Sequence, residues 1–444
     1  MTLTTKVLIG MGLGLLVGLG INLAGLNEAG GFVHQYIVEG LFGVVGTLFI
    51  TALKMLVVPL VFFSLLSGIF GIGDVKKLGS VGLRAFLLYM LTTALAIATA
   101  IVLAIVFAPG EGLSMQTQAH FVAKEAPPLS EVLIHIIPSN VIEAFSSGNM
   151  LQIIFFTILF GISLLMVGRK AQSIVEGVEV LNEAMMNMVN IVMGVAPYAV
   201  FALLAKSMAS LGLGLLASLA SYVGVLLLAL MVHLFVTQMA LFYLFTKASP
   251  RLFLEKIRDA QIFAFSTSSS NATIPVTLKS VTKRMGVENS VASFTVPFGA
   301  TINMDGTAMM QGVATVFIAN MYGIELGLSG YLTVILMSVL ASIGTAGVPG
   351  VGLIMLSMVF VQVGLPVEGI GLILGVDRIL DMVRTVVNVT GDAVVSCVVA
   401  STQGAFDSKV FEDKQAGVEV DLHIDKEAEE ALARSLKATA NKEA

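Results

Sequence analysis

The sequence predicts an all-α polytopic membrane protein: eight transmembrane helices plus two oppositely oriented re-entrant helical hairpins, arranged as inverted repeats. Three observations predict it. Of 444 residues, 57% are hydrophobic and only 12% charged, with a mean hydropathy of +0.95, whereas soluble domains carry about a quarter charged residues. Apolar runs of about twenty residues recur, enough to cross roughly 30 Å of hydrocarbon as helices. Two later apolar runs are interrupted at their centres by small and polar residues. The net charge of −5 is mostly that of the C-terminal tail, where residues 407–444 hold ten acids and six bases.

The first six spans are expected near 7–25, 38–71, 80–108, 128–168, 175–208 and 212–245. The second and fourth exceed what a bilayer needs, so tilting or breaking is expected there. Basic residues alternate between the connections. Lys6 precedes the first span; Lys76, Lys77 and Arg84 follow the second; Arg169 and Lys170 follow the fourth; Lys247, Arg251, Lys256 and Arg258 follow the sixth. The intervening loops carry Glu28 and Glu111 and little basic charge beyond Lys124. The positive-inside rule then places the N-terminus and the end of span six in the cytoplasm. No cleavable signal peptide is evident: the apolar run after Lys6 extends to Leu23 without a small-residue cleavage site.

The segment 253–283 has basic residues at both ends and Ser266-Thr267-Ser268-Ser269-Ser270-Asn271 in its middle. A segment with a cytoplasmic signature at both ends enters the bilayer and returns. Span 288–321 follows. A second interrupted stretch, 328–363, centres on Ser342-Ile343-Gly344-Thr345-Ala346-Gly347-Val348-Pro349-Gly350 and is flanked by Glu325 and Glu368, so it dips in from outside. Span 369–402 returns the chain to the cytoplasm. Irregular backbone at membrane depth survives only where protein, water or ions satisfy it. Two opposed hairpins, each followed by a span, are the organisation of secondary transporters with a midplane substrate site.

The last span concentrates the polar residues. Asp377, Asp381, Arg384, Thr385, Asn388 and Asp392 fall at offsets 0, 4, 7, 8, 11 and 15, on one helical face. Four ionised groups at membrane depth cost on the order of 10 kcal/mol, which packing does not require. An Asp–Arg pair alone fits an internal salt bridge; three acids, an Asn and a Thr on one stripe fit a transport path. Span seven adds Asn303-Met304-Asp305-Gly306-Thr307, where Asn, Asp and Gly oppose helix continuity and Gly306 would allow local unwinding. Its hard oxygen ligands suit a hard cation. Asp305, Asp377, Asp381 and Asp392 against Arg378 and Arg384 leave two negative charges for bound cations or protons to meet; sodium ions would do so. Arg384 is the expected carboxylate clamp. Asp381 is placed to take an ammonium, and the serines of the 268–270 tip to take a second carboxylate.

Other signals carry less. Gly10, Gly12, Gly14 and Gly18 resemble a dinucleotide loop but lie inside an apolar span, where close helix packing is expected. Lys54 is read as snorkelling or paired, and His233 as a packing or hydrogen-bonding residue. The single cysteine, Cys397, excludes an intrachain disulfide and a cysteine-rich metal site. No zinc motif or nucleophile–base arrangement supports an intramembrane enzyme, and nothing points to a nucleic-acid partner.

At these residues the chain resembles the glutamate transporter family, the dicarboxylate/amino acid:cation symporters, across essentially its whole membrane part. The match is most specific in the serine-rich tip, the Asn-Met-Asp-Gly-Thr run, the Gly-Thr-Ala-Gly-Val-Pro-Gly tip and the Asp381–Asp392 stretch. That family is itself an example of the inverted-repeat architecture, so the two readings are not independent. The resemblance implies a homotrimer in the lipid bilayer of a prokaryotic-type inner (plasma) membrane. It implies a transport unit (72–110 and 211–402) moving against a scaffold (1–71 and 111–210), followed by a charged cytoplasmic tail (403–444). It assigns Arg384 to the substrate side-chain carboxylate and Asp381 to its amino group. Ser269, Ser270, Thr307, Val348, Gly352, Thr385 and Asn388 supply the remainder. It assigns co-transported sodium to three groups: Gly299, Asn303, Asn388 and Asp392; Thr301, Ser342, Ile343 and Thr345; and Tyr89, Thr92, Thr93, Asn303 and Asp305. The 342–350 tip becomes the extracellular gate.

Two departures matter. Gln311 stands where proton-coupled animal members carry a glutamate, which favours sodium-only coupling. The second arginine of many relatives is absent at Ser268 and at Met382, leaving Arg378 as its candidate replacement. The expected activity is sodium-coupled import of aspartate or glutamate. A C4-dicarboxylate or a proton-coupled carrier is the alternative, and an anion channel is a possible side activity.

Overall fold

The computed structural model describes residues 3–28, 30–71, 81–112, 134, 136–345, 347 and 349–417. Val348, Lys76, Lys77, Lys124 and the tail from 418 onward lie outside them. Among the described residues there is no strand, and an isolated bridge joins Val287 to Phe406. Helix α1 is Leu3–Leu23; a π-helical stretch, Val33–Phe42, runs into α2, Gly43–Gly71; α3 is Leu83–Phe107. Then come α4 (Val141–Ser147), α5 (Met150–Val167), α6 (Gln172–Gly194), α7 (Ala196–Leu211) and α8 (Leu213–Val232). A π-helical turn, His233–Gln238, links α8 to α9 (Met239–Thr246). Two helical pairs follow, α10 (Pro250–Thr267) with α11 (Ser270–Lys279) and α14 (Gly327–Gly344) with α15 (Val351–Gln362). Between them stand α12 (Asn289–Ile302) and α13 (Asp305–Tyr322); α16 (Ile370–Gln403) and the short α17 (Ser408–Glu412) close the chain.

Among the described residues, five helical stretches are long and apolar enough to cross a membrane: Thr5–Leu23, Val33–Phe70, Leu83–Phe107, Gln152–Gly194 and Leu213–Thr246. Their outward faces carry large apolar side chains such as Leu16, Leu48 and Ile191, each at least 66% exposed. Such a surface needs an apolar solvent.

Two predicted spans are broken: the fifth, which the sequence reading left whole, and the fourth, whose excess length led tilting or breaking to be expected. The span expected over 175–208 divides at Val195 into α6 and α7, because Pro197 in the first turn of α7 cannot donate to the preceding turn. The span expected over 128–168 divides, within its described part, at Gly148 (φ +70°), with Asn149 capping α5. The glycines of α1 pack against α7 as expected. A methyl on Gly14 would lie 2.6 Å from the Phe201 carbonyl oxygen and one on Gly18 2.5 Å from that of Ala205, and Gly10 meets Pro197 in the same way. Gly12 faces open space and takes no part.

The centre of the molecule is α16, which touches α8, α9, α10, α12 and α13. The α14–α15 pair packs on α2, whereas α10 and α11 pack on α16 and α11 also on α12. Lys54 of α2 pairs with Glu368, just before α16, at 3.6 Å. After α16 the chain folds back on the base of the α10–α11 pair. Buried Lys256 of α10 donates to the carbonyls of Arg284, Val410 (2.9 Å) and Asp413 (2.8 Å), with its ammonium 5.4 Å from the Phe411 ring centre. Charge-assisted hydrogen bonds are worth about 1.5–3 kcal/mol each. Lys256→Ala is therefore expected to lower the melting temperature of the purified protein by several degrees. An unchanged melting temperature would mean that the clasp contributes nothing.

Candidate functional site

The predicted stripe on α16 is buried throughout, with none of Asp377, Asp381, Arg384, Thr385, Asn388 and Asp392 more than 8% exposed. Its acids divide into two kinds. Arg384 donates from Nη1 to Asp377 Oδ1 at 2.7 Å and from Nη2 to Asp381 Oδ1 at 2.8 Å. Arg378 Nη1 stands 3.7 Å from Asp381 Oδ2. Two arginines thus answer two acids. Asp305 and Asp392 meet no lysine or arginine among the described residues. Thr93 Oγ1 donates to Asp305 at 2.8 Å, and Asn303 Nδ2 donates to Asp392 Oδ1 at 2.9 Å. The surplus of two negative charges counted from the sequence falls on this pair.

The break in span seven exists, but not at the glycine. Asn303 (φ −108°, ψ 93°) and Met304 (φ −117°, ψ 52°) leave the helical region, while Gly306 lies in the first turn of α13. Gly306 serves another purpose. A methyl there would lie 2.5 Å from the Arg384 carbonyl oxygen, so the missing side chain lets α13 and α16 touch backbone to backbone. Its N–H donates to Asn388 Oδ1 at 2.7 Å.

Around this break the predicted cation residues join into one network. Thr92 Oγ1 reaches Asn303 Oδ1 at 3.4 Å, and Asn303 Nδ2 also reaches the Asn388 carbonyl at 3.5 Å. A methyl on Gly299 would lie 2.5 Å from both Asp392 Oδ1 and Tyr89 Oη, so that backbone, too, is open to close approach. Tyr89, Thr92, Thr93, Gly299, Asn303, Asp305, Asn388 and Asp392 are therefore contiguous. The remaining group is less complete. Ser342 Oγ donates to the Ile302 carbonyl at 3.1 Å, linking α14 to α12, but Thr301 and Thr345 turn their hydroxyls onto their own helices. Ile343 and Thr301 approach the same point of α2, Gly68.

Six residues predicted for substrate line one small cavity of about 10 Å³: Ser270, Thr307, Gly352, Asp381, Thr385 and Asn388. Arg384 stands behind that wall; a methyl on Gly352 would lie 3.7 Å from its Nη2. Ser269 caps α11 and donates across the cavity mouth to the Gly347 carbonyl at 2.7 Å, which also accepts from the Asn271 N–H at 3.3 Å. The two tips are thus closed on each other. Gly347 also borders a larger cavity of about 300 Å³, between α12 and the α11 tip on one side and Ser64, Ser67, Glu179 and Asn182 of α2 and α6 on the other.

Four participants were not expected. Met304 lines the small cavity, and its sulfur accepts from Asn388 Nδ2 at 3.4 Å. Gly347 separates the two cavities. His233, read as a packing or hydrogen-bonding residue, does make a hydrogen bond, but with an expected cation ligand: its Nε2 lies 3.0 Å from Asp305 Oδ2, and Gln238 Nε2 lies 3.5 Å from the same oxygen. A histidine and a glutamine in one apolar span were the available signal.

A family model described as "Sodium:dicarboxylate symporter family" matches residues 3–402. The chain is similar to the proton/sodium-glutamate symport protein of Bacillus subtilis (36% identity; 82% of this chain and 86% of the relative). It is also similar to the proton/glutamate-aspartate symporter of Escherichia coli (34%; 92% and 94%). A third relative is the C4-dicarboxylate transport protein of Bacillus subtilis (33%; 82% and 87%).

Proposed function

Because the chain belongs to the sodium:dicarboxylate symporter family, and is therefore a multi-pass membrane transporter rather than an enzyme, we propose that it imports aspartate or glutamate on a sodium gradient. The observation that carries this reading is the pair Asp305 and Asp392. They are two buried acids without a lysine or arginine partner among the described residues, joined through Asn303 to the wall of a cavity between the hairpin tips. Buried charge without a partner is too costly to keep, and oxygen-rich surroundings suit a hard cation. Sodium would be held by the Asp392–Asn303–Gly299–Asn388 group and by Asp305 with Tyr89, Thr92 and Thr93. The third site would assemble from Thr301, Ser342, Ile343 and Thr345 when the second tip shifts.

In this reading the chain crosses the inner membrane eight times, with both termini cytoplasmic, and assembles as a homotrimer. α10–α11 and α14–α15 are the re-entrant hairpins. Segments 72–110 and 211–402 move against the scaffold 1–71 and 111–210. The state is inward-facing and closed. Lys54–Glu368 and the packing of α14–α15 on α2 seal the outer side. The larger cavity lies among Ser64, Glu179 and Ser293, near the helix ends expected in the cytoplasm. A space of about 10 Å³ holds about one water and no amino acid, so the tips must part for substrate. Arg384 offers the side-chain carboxylate a planar fork through N–H groups that Asp377 and Asp381 leave free.

One observation favours a second reading. Both oxygens of Asp381 already face arginines, which weakens it as an ammonium acceptor and suits a C4-dicarboxylate without an amine. Proteoliposomes decide between them. Labelled aspartate should accumulate under an inward sodium gradient and not under a proton gradient alone, and excess succinate should compete poorly. Uptake without sodium would overturn the coupling, and succinate uptake exceeding that of aspartate would overturn the substrate.

A further inference from the structure

His233 and Gln238 are wholly buried, as is Asp305, and none is explained by packing. In an α-helix, residues five apart point about 140° away from each other. The π-helical turn His233–Gln238, with its wider i→i+5 spacing, brings both side chains to one oxygen, Asp305 Oδ2. Gln238 Nε2 is steadied by a second bond, to the Val387 carbonyl at 3.1 Å. The other oxygen, Oδ1, is met by Thr93 Oγ1.

These partners differ in kind. An imidazole N–H and an amide NH2 are donors only, so an oxygen they occupy turns hydrogens, not lone pairs, toward any third group. A hydroxyl is both donor and acceptor: Thr93 can rotate its hydrogen away and present a lone pair beside Oδ1. Thr92, whose hydroxyl reaches Asn303 Oδ1, can do the same. Oδ2 is therefore closed to a cation and Oδ1 is open to one.

We propose that His233, assisted by Gln238, is a positioning residue for cation binding. It holds Asp305 by Oδ2 so that Oδ1 faces the space shared with Thr92, Thr93 and Asn303. The proposal rests on the sodium reading above. Partners that orient a ligating side chain typically change metal affinity by about 10–100-fold when removed.

The test uses His233→Ala, His233→Gln and Gln238→Leu in the full-length protein. Two quantities are measured: the sodium concentration for half-maximal aspartate uptake in proteoliposomes, and the sodium-induced rise in melting temperature without substrate. His233→Ala should raise the half-saturating sodium concentration about 10–100-fold and flatten the thermal response, with aspartate KM at saturating sodium little changed. His233→Gln, which restores an N–H donor of similar reach, should recover most of the loss. Gln238→Leu should produce a smaller shift in the same direction, and serves if His233→Ala does not fold. Variants that respond to sodium as the parent does would overturn the proposal, as would equal losses in His233→Ala and His233→Gln, which would mark a packing role. A parent indifferent to sodium in both measurements would instead remove the sodium reading on which the proposal stands.

Discussion

Uptake of labelled aspartate by an Arg384→Cys variant is expected to fall to background, while neutral amino acids still bind. The guanidinium is fully buried and holds Asp377 and Asp381 together. Removing one partner of a buried, hydrogen-bonded charge pair costs about 2–5 kcal/mol, or roughly thirty-fold to several thousand-fold in affinity. The same change strands Asp377, so Arg384→Cys combined with Asp377→Asn separates the two effects. The double variant should recover thermal stability but not acidic-substrate uptake. Uptake in proteoliposomes and equilibrium binding of aspartate and of neutral amino acids to the purified variants check this; an aspartate affinity equal to that of the parent would exclude Arg384 from substrate binding.

The stripe on α16 was legible because a period near 3.6 residues groups Asp377, Asp381, Arg384, Thr385, Asn388 and Asp392 whatever the rest of the chain does. The close packing of α1 was legible for a similar local reason, since Gly10, Gly14 and Gly18 repeat on one face. What the sequence obscured was long-range or a matter of degree. Pro197 lies in a run apolar enough to pass as one span, yet it ends α6. In Asn303-Met304-Asp305-Gly306 the glycine is the weakest helix former, yet the break falls two residues earlier, because Gly306 is held against the Arg384 backbone and Asn303 is drawn toward Asp392. His233 meets a partner 72 residues away, which no local pattern reports. Nor does spacing tell that Arg384 stands behind the cavity wall rather than in it.

Asp392→Asn is the second change with a large expected effect. It keeps shape and an oxygen ligand but removes one of two acids that lack a lysine or arginine partner. At 4 Å and an effective dielectric of 20, a unit charge pair is worth about 4 kcal/mol. Part of that is offset because the carboxylate no longer needs desolvating. A rise of at least about tenfold in the sodium concentration for half-maximal uptake is the expected result, read from a sodium titration at fixed aspartate. A curve superimposable on that of the parent would exclude Asp392 from cation binding.

The Gly347 carbonyl is held by two donors from the opposite hairpin, over a space of about 10 Å³. Two such bonds are worth about 1–3 kcal/mol net together. A latch that weak needs no external trigger: thermal motion alone unfastens it for a small fraction of the time.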